Sequence, residues 1–328
     1  MTRKIYLKKG IENSVKTDSL GFPASAKMPA GQECPAYRKS ERGYMAAIII
    51  DGNAISKEIR DGIRQEIEGL KPKLARAPGL CVILVGDNPA SQIYVGRKSK
   101  ACTEVGIFSE VKKLPKEVSQ AELLNLIAGL NEDKNIDGIL VQLPLPQHIN
   151  ELVVMEAISP KKDADGLHPV NIGDLVLNRA TLTPCTAAGI IELVQRSVEE
   201  IKWTHSVIVG RSNIVGKPTA LMLLHRHSTI TICHSRTKDL KEITKQADIL
   251  IAAIGKPKFV TKDMVKEGVI AIDVGINRID GKLFGDIDYE GVREIAKAIT
   301  PVPGGVGPMT VAMLLKNTLT AYKRNFKV

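Results

Sequence analysis

The chain has 328 residues, 44% of them hydrophobic and 25% charged, an ordinary globular composition with length enough for two domains with their own cores. Its longest apolar runs, such as Ile249 to Ile254, fall far short of the roughly 20 residues that cross a bilayer, so no membrane partner is expected. The formal charge of +10 is concentrated at the start: residues 1–44 hold nine Lys/Arg against four Asp/Glu. The remainder, in a chain with only 4% aromatic residues, offers little on which bases could stack, which argues against nucleic acid as a partner.

Residues 1–44 carry Gly, Pro, Ser and charges without apolar periodicity and read as a basic, flexible N-terminal extension, with both Met1 and Met45 standing as start sites. They lack the continuous apolar core of a secretory signal, and Glu12, Asp18, Glu33 and Glu41 fit an organellar transit peptide poorly. From Met45 the strand-like run AAIII opens an alternation of strand and helix, the pattern of parallel α/β architecture. Ile55, Ile59, Ile63 and Ile67 share one helical face, and Gly79 to Val85 is an apolar run of strand length. Ser91 to Val105 reads as the next helix, and Ser119 to Leu130 as another, with Ser119 and Glu122 spaced as a capping box. Ile136 to Leu143 is a buried strand stopped by Pro144 and Pro146, and Ala187 to Val194 opens a helix leading into a second domain.

That domain repeats the scheme, with strands at Ser206–Val209, Thr229–Cys233, Asp248–Ile254 and Val269–Val274, helices from Pro218 and near Leu240–Ala247, and a final amphipathic helix Thr310–Arg324. Cys34, Cys81, Cys102, Cys185 and Cys233 are scattered without a CxxC pair, which argues against a disulfide framework and a zinc site and for reduced thiols in the cytoplasm. His225 and His227 point to different faces of a helix, so no metal is expected there.

The run VIVGRSNIVGKP sets Gly210 and Gly216 between a buried strand and a helix with Pro218 in its first turn. Such a turn points backbone N–H groups and the positive helix end at a phosphate, although G-x5-G on its own serves equally for a tight strand-to-helix turn. At the end of the next strand, where NAD-binding folds commonly place an acid on the ribose 2′-hydroxyl, the sequence is CHSRT. With no acid there, Ser235 and Arg236, together with Arg211, could hold a 2′-phosphate, which favours NADP over NAD.

In the first half, Tyr94 and Lys98 are four apart on one helix face, and Gln142 is a polar residue at the C-terminal end of an otherwise apolar strand, where α/β folds build ligand clefts. Asp165, in KDADGL, stands beside Gly166 as a turn former or a ligand contact. Cys185 reads as a small buried residue, and Asp273 ends a buried strand as a possible supporting group.

SQIYVGRKSKAC, VQLPLP, KDADGL, TPCTAAG, VGRSNIVGKP and TPVPGGVGPMT occur in this order. On these strings, the chain from Met45 to its end resembles the bifunctional methylenetetrahydrofolate dehydrogenase/methenyltetrahydrofolate cyclohydrolase family. The resemblance implies two α/β domains flanking a cleft: a folate-binding catalytic domain over residues 45–186, completed by a C-terminal helix 308–328, and a Rossmann-like NADP-binding domain over 187–307. It implies that NADP takes a hydride from 5,10-methylenetetrahydrofolate and that water opens the methenyl product to 10-formyltetrahydrofolate. Lys98 would handle protons in the water-adding step, tuned by a hydrogen bond from Gln142. Tyr94 would stack on the folate rings, and Asp165 would accept from the pterin N–H groups. Ser91 would support as a helix cap or a neighbouring contact, and Leu143, Pro144, Gly304 and Gly305 would line the substrate. Gly210, Arg211, Ser212 and Ile214 would meet the phosphates, Ser235 and Arg236 the 2′-phosphate, and Ile276 and Pro303 the nicotinamide side. A homodimer through the cofactor domain is expected on the same ground. The rival readings are a monofunctional dehydrogenase of the same family and a non-catalytic nucleotide-binding protein.

Overall fold

The computed structural model describes residues 47–72, 74 and 76–327, so the extension read at residues 1–44 lies outside the described residues. Ile48–Ile49 form strand β1, and Gly52–Leu70 form helix α1, started by the Asp51 carboxylate accepting from the N–H groups of Asn53 and Ala54. The isoleucine face is the inward one: Ile63 and Ile67 are buried, and Ile55 and Ile59 pack partly against the same core.

Strand β2 (Gly79–Val85), helix α2 (Pro89–Val105), strand β3 (Phe108–Leu114), helix α3 (Gln120–Glu132) and strand β4 (Gly138–Val141) follow. They form a parallel three-stranded sheet of order β3-β2-β4. The capping box is present, with Ser119 Oγ accepting from the Glu122 N–H and the Glu122 carboxylate accepting from the Ser119 N–H. Strand β3 escaped the sequence reading because FSEVKKL is an edge strand, half-buried to exposed along its length, and shows neither an apolar run nor clean alternation. Beyond β4 the chain comes back alongside it: the Ile139 N–H donates to the Lys162 carbonyl at 2.7 Å, and the Ala164 N–H donates to the Ile139 carbonyl at 3.3 Å. Residues 162–164 thereby lie beside β4.

Helices α4 (Glu151–Ala157), α5 (Pro169–Val176) and α6 (Cys185–Gln195) lead to the larger sheet. This is built from β5 (His205–Val209), α7 (Gly216–Leu224), β6 (Thr229–Cys233), α8 (Leu240–Thr244), β7 (Ile249–Ala252) and β8 (Ile270–Asp273). A two-stranded hairpin of β9 (Asn277–Ile279) and β10 (Lys282–Phe284), then α9 (Tyr289–Arg293), β11 (Ala298–Ile299) and α10 (Val306–Phe326), complete the chain. The six strands run parallel in the order β1-β11-β8-β7-β5-β6. The AAIII run, read from the sequence with the first half, contributes β1 to this larger sheet, where Ile48 and Ile49 pair with Ala298 and Ile299. A short apolar run carries no information about which sheet it joins; tertiary contact decides.

Helix α10 packs along α1 and α6 and also reaches β2 and β4. One apolar cluster consequently runs from Leu80 and Val82 through Ile190 and Leu315 to Ile208 and Ile251, so both sheets share a core. At the far end of α10 an ion pair between the buried Asp137 and the half-buried Arg76 ties the helix down. The Arg76 guanidinium donates to both oxygens of Asp137 at 2.6 and 2.8 Å, and Asn325 Nδ2 donates to the same carboxylate at 2.8 Å.

Candidate active site

The smaller sheet reverses direction around β2, since β3 lies on one side of it and β4 on the other. A crevice therefore opens at the carboxyl ends of β2 and β4. Helix α2 rises from this end. Asn88 caps it, its Oδ1 accepting from the N–H groups of Ala90 and Ser91, and Pro89 occupies the first turn. The cap expected of Ser91 belongs instead to Asn88: the helix begins two residues earlier than read, because Asn-Pro already supplies both starting signals, and Ser91 is buried inside the first turn.

Lys98 sits on the inner side of α2, 9% exposed, and its ammonium donates to Gln142 Oε1 at 2.9 Å. The amide orientation of Gln142 is fixed, because its Nε2 donates to the Leu143 carbonyl at 2.7 Å. The Gln142 N–H in turn donates to the Ile83 carbonyl of β2 at 2.9 Å. Burial lowers the Lys98 pKa from its ordinary value, an effect opposed by the nearby Asp165 carboxylate. Burial also raises the Asp165 pKa, with Lys98 pulling the other way. Tyr94, one turn before Lys98, is 37% exposed, as a face open to a ligand would be. The Leu143–Pro144 peptide is cis, and Leu143 and Asp165 line one small cavity with Met155 and Leu167.

Two residues not singled out from the sequence hold Asp165 in place. The buried Asp163 carboxylate accepts from the Gly166 N–H (3.1 Å), the His168 N–H (2.8 Å) and Asn171 Nδ2 (2.8 Å), which shapes the KDADG turn. Asn317, on α10, donates from Nδ2 to the carbonyls of Ala164 (2.9 Å) and Thr183 (2.8 Å). Its signal was an amide in the middle of a helix whose surrounding face is apolar. Cys185 is buried as expected, its thiol donating to the Ala164 carbonyl at 3.3 Å, and burial pushes its pKa up.

The larger sheet has its own reversal at β5, flanked by β6 and β7. Gly210 follows β5 with φ of +134°, a conformation open to glycine, and a Cβ there would collide with the Ala253 carbonyl after β7. Ser212 Oγ accepts from the N–H groups of Val215 (3.2 Å) and Gly216 (3.3 Å), closing the first turn of α7 and leaving the hydroxyl hydrogen free to donate outward. Arg211, Ser212 and Ile214 are exposed in this loop. After β6, the His234 N–H donates to Thr237 Oγ1 at 2.8 Å and His234 Nδ1 accepts from the Arg236 N–H at 3.1 Å, a fixed turn that leaves Ser235 and Arg236 exposed. Glycine at the turn, free donors at a helix start and no carboxylate at the end of β6 suit a phosphorylated dinucleotide.

Ile276, 49% exposed after β8, faces the start of α10, where Gly307 lies near its Cδ1. The preceding Pro303-Gly304-Gly305 segment, with a cis Val302–Pro303 peptide, lies against the start of α1. A Cβ on Gly52 would collide with the Gly305 carbonyl, and Asn53 Nδ2 borders Gly304. Gly52 and Asn53 are thus further members of this wall, which the sequence reading missed because the contact links opposite ends of the chain. Among the described residues no group of His, Cys, Asp and Glu could hold a metal ion.

The catalytic-domain family of tetrahydrofolate dehydrogenase/cyclohydrolase matches residues 50–165, and its NAD(P)-binding-domain family matches residues 184–326. The chain belongs to the tetrahydrofolate dehydrogenase/cyclohydrolase family. It is 54% identical to the bifunctional protein FolD of Halalkalibacterium halodurans over 85% of this chain and 100% of that one. It is 56% identical to the FolD of Moorella thermoacetica over the same shares. The crystal structure of the bifunctional FolD of Campylobacter jejuni superposes with a TM-score of 0.83 at 49% identity, over 85% of this chain and all of that one. The Trypanosoma brucei FolD, solved with NADP cofactor and an inhibitor, gives a TM-score of 0.83 at 39% identity over 87% and 100%. In the family's terms, Lys98, Gln142 and Asp165 fall in the catalytic-domain match, and Gly210 through Gly305 in the NAD(P)-binding match.

Proposed function

We propose that this family member is a bifunctional enzyme that oxidises 5,10-methylenetetrahydrofolate to the methenyl form with NADP and hydrolyses that product to 10-formyltetrahydrofolate. The observation that carries the reading is the buried Lys98 bonded to an oriented Gln142 beside Asp165. NADP, when bound, accepts the hydride from the one-carbon bridge. The chain's own residues do the rest. Tyr94 presents its ring to the folate, and the Asp165 carboxylate accepts from pterin N–H and amino groups. Leu143, Pro144 and the Gly304–Gly305 wall bound the ring system, and Ser91, buried in the first turn of α2, supports it. As water adds to the methenyl carbon, the Lys98 amine takes the proton released. A depressed pKa supplies the neutral amine nearer neutral pH, which an ordinary lysine cannot do. Gln142 points that amine and does not itself ionise.

On the cofactor side, Gly210, Arg211, Ser212 and Ile214 form the phosphate loop, Ser235 and Arg236 meet the 2′-phosphate, and Ile276 and Pro303 flank the nicotinamide. We assign residues 45–186 with helix 308–328 to folate binding, apart from β1, which joins the larger sheet, and 187–307 to NADP binding. The enzyme works in the cytoplasm, in keeping with the free, buried Cys81, Cys102, Cys185 and Cys233. It pairs as a homodimer at the open edge of the larger sheet. There β6 lacks an outer neighbour among the described residues, Ile232 is 39% exposed, and Trp203 and Leu224 lie exposed on adjoining elements.

The deciding experiment follows methylenetetrahydrofolate spectroscopically with NADP or NAD. Bifunctional turnover gives an NADP-dependent rise of the methenyl product followed by its enzymatic decay. A rise with only spontaneous decay would mean a monofunctional dehydrogenase, and no rise would mean a binding protein.

A further inference from the structure

Two buried carboxylates take no part in the chemistry above. Asp273 ends β8 and is 3% exposed, and Asp286 follows β10 and is fully buried. Among the described residues neither has a Lys or Arg partner in an ion pair. Backbone N–H groups meet them instead. Asp273 Oδ1 accepts from Gly275 (3.0 Å) and Asp286 (2.8 Å), and its Oδ2 from Ile287 (2.8 Å). Asp286 Oδ2 accepts from Ile254 (2.6 Å) and Gly255 (2.9 Å), and its Oδ1 from Asn277 Nδ2 (2.9 Å).

The sequence around them is reciprocal. A Cβ on Gly285 would collide with the Asp273 carboxylate, and a Cβ on Gly275 would collide with the Asp286 carboxylate. Each aspartate is therefore seated on a glycine within two residues of the other, which closes the base of the β9–β10 hairpin. Burial, only partly offset by the three N–H donors, pushes the Asp273 carboxyl up to about 7. A fold that merely needed filling at this point would use apolar side chains; an acceptor with several lone pairs is called for where several backbone donors converge.

The donors to Asp286 belong to two turns. Ile254 and Gly255 follow β7, and Gly275 to Asn277, containing Ile276, follow β8, both at the carboxyl edge where open α/β sheets take their ligand. We propose that Asp286, seated by Asp273, is a positioning residue for the dinucleotide site. It holds the post-β7 turn and the Ile276 turn at a fixed separation, which keeps Ile276 where it would border the nicotinamide. This rests on the reading of Ile276 as a cofactor contact.

The test compares Asp286→Asn, Asn277→Ala and the double substitution Asp286→Asn with Asn277→Asp, which restores a donor and an acceptor in swapped places. Cyclohydrolase activity on the methenyl substrate needs no cofactor and reports folding. Asp286→Asn is expected to cut dehydrogenase kcat/KM for NADP by roughly tenfold to a hundredfold, the range for a lost buried acceptor, with cyclohydrolase preserved and the double substitution recovering part of the loss. Asn277→Ala, which keeps the Ile254 and Gly255 bonds, is expected to show the same selectivity more weakly, and it decides the matter if Asp286→Asn does not fold. Equal loss of both activities in Asn277→Ala, or unchanged NADP kinetics in a folded Asp286→Asn, would overturn the proposal. Amide exchange of the wild type with and without NADP separates the underlying reading: no protection at 254–255 and 275–277 would remove Ile276 from the cofactor site, whereas protection with unchanged variant kinetics would remove the role of Asp286 alone.

Discussion

The Lys98 ammonium reaches across from α2 to Gln142 Oε1 at the end of β4, a 2.9 Å bond between residues 44 apart in sequence. The helix supplies a cation that burial discourages, and the strand end supplies a neutral acceptor that orients it without stabilising its charge as a carboxylate would. Asp165, on the segment running beside β4, restores part of that charge stabilisation. The amine is thus held near a balance that proton transfer can use.

Replacing the amine is the sharpest check. Lys98→Met is expected to lower cyclohydrolase turnover by about two to four orders of magnitude, the usual weight of a general acid–base group, and to leave NADP affinity unchanged. Conversion of the methenyl to the formyl form at the wild-type rate would sink the assignment.

The Gln142 partner tests the electrostatics. Because burial lowers the Lys98 pKa, the neutral amine accumulates as pH rises through a value below the ordinary lysine range, and cyclohydrolase activity should rise with it. Gln142→Glu sets a carboxylate beside the ammonium, favours the charged form and raises that pKa. The rising limb of the pH–rate profile should move to higher pH; a limb that stays in place, or moves down, would show that Lys98 is not the titrating group.

Much of this arrangement was legible before the fold was known. The alternation of strands and helices, the Gly79–Val85 and Thr229–Cys233 strands, the Ser119 box and the paired Tyr94 and Lys98 all follow from local rules of periodicity and capping. What stayed hidden is what local rules do not encode. Strand β3 is polar because it is an edge, β1 chooses its sheet through a partner some 250 residues away, and Asp163, Asn317 and Asp286 act through backbone groups that no side-chain motif names. The pattern G-x5-G located the turn between β5 and α7, and the collision at Ala253 shows why glycine is needed at 210.

The proposed recognition of the 2′-phosphate rests on Arg211. Its exposed position after Gly210, with Ser235 and Arg236 on the neighbouring turn and no acid after β6, fits a 2′-phosphate. Arg211→Ala should weaken NADP binding by about tenfold, the worth of one charge-assisted hydrogen bond, and weaken NAD binding much less. Equal losses in a titration with the two nucleotides would remove the 2′-phosphate argument.

Stability is expected to depend on the ion pair at the base of α10. Asp137 is fully buried and takes four donors: the two Arg76 nitrogens, the Gly79 N–H and Asn325 Nδ2. Asp137→Ala leaves a guanidinium without its counter-charge and should cost about 3 to 5 kcal/mol in a denaturant titration, as breaking one side of a buried pair does. A loss under about 1 kcal/mol, the worth of an exposed pair, would mean that water replaces the carboxylate and that α10 is held by its apolar face alone.

The last prediction concerns assembly. Among the described residues strand β6 has a free edge, and Ile232 stands on it with 39% of its surface exposed. A charged side chain at an edge strand blocks pairing with another chain while costing the isolated fold little. Ile232→Lys should therefore shift sedimentation from dimer to monomer at concentrations where the wild type is dimeric, with cyclohydrolase activity per chain retained, since Lys98, Gln142 and Asp165 all lie outside the larger sheet. A variant that still sediments as a dimer would move the interface away from β6, and a wild type that is monomeric throughout would remove the dimer itself.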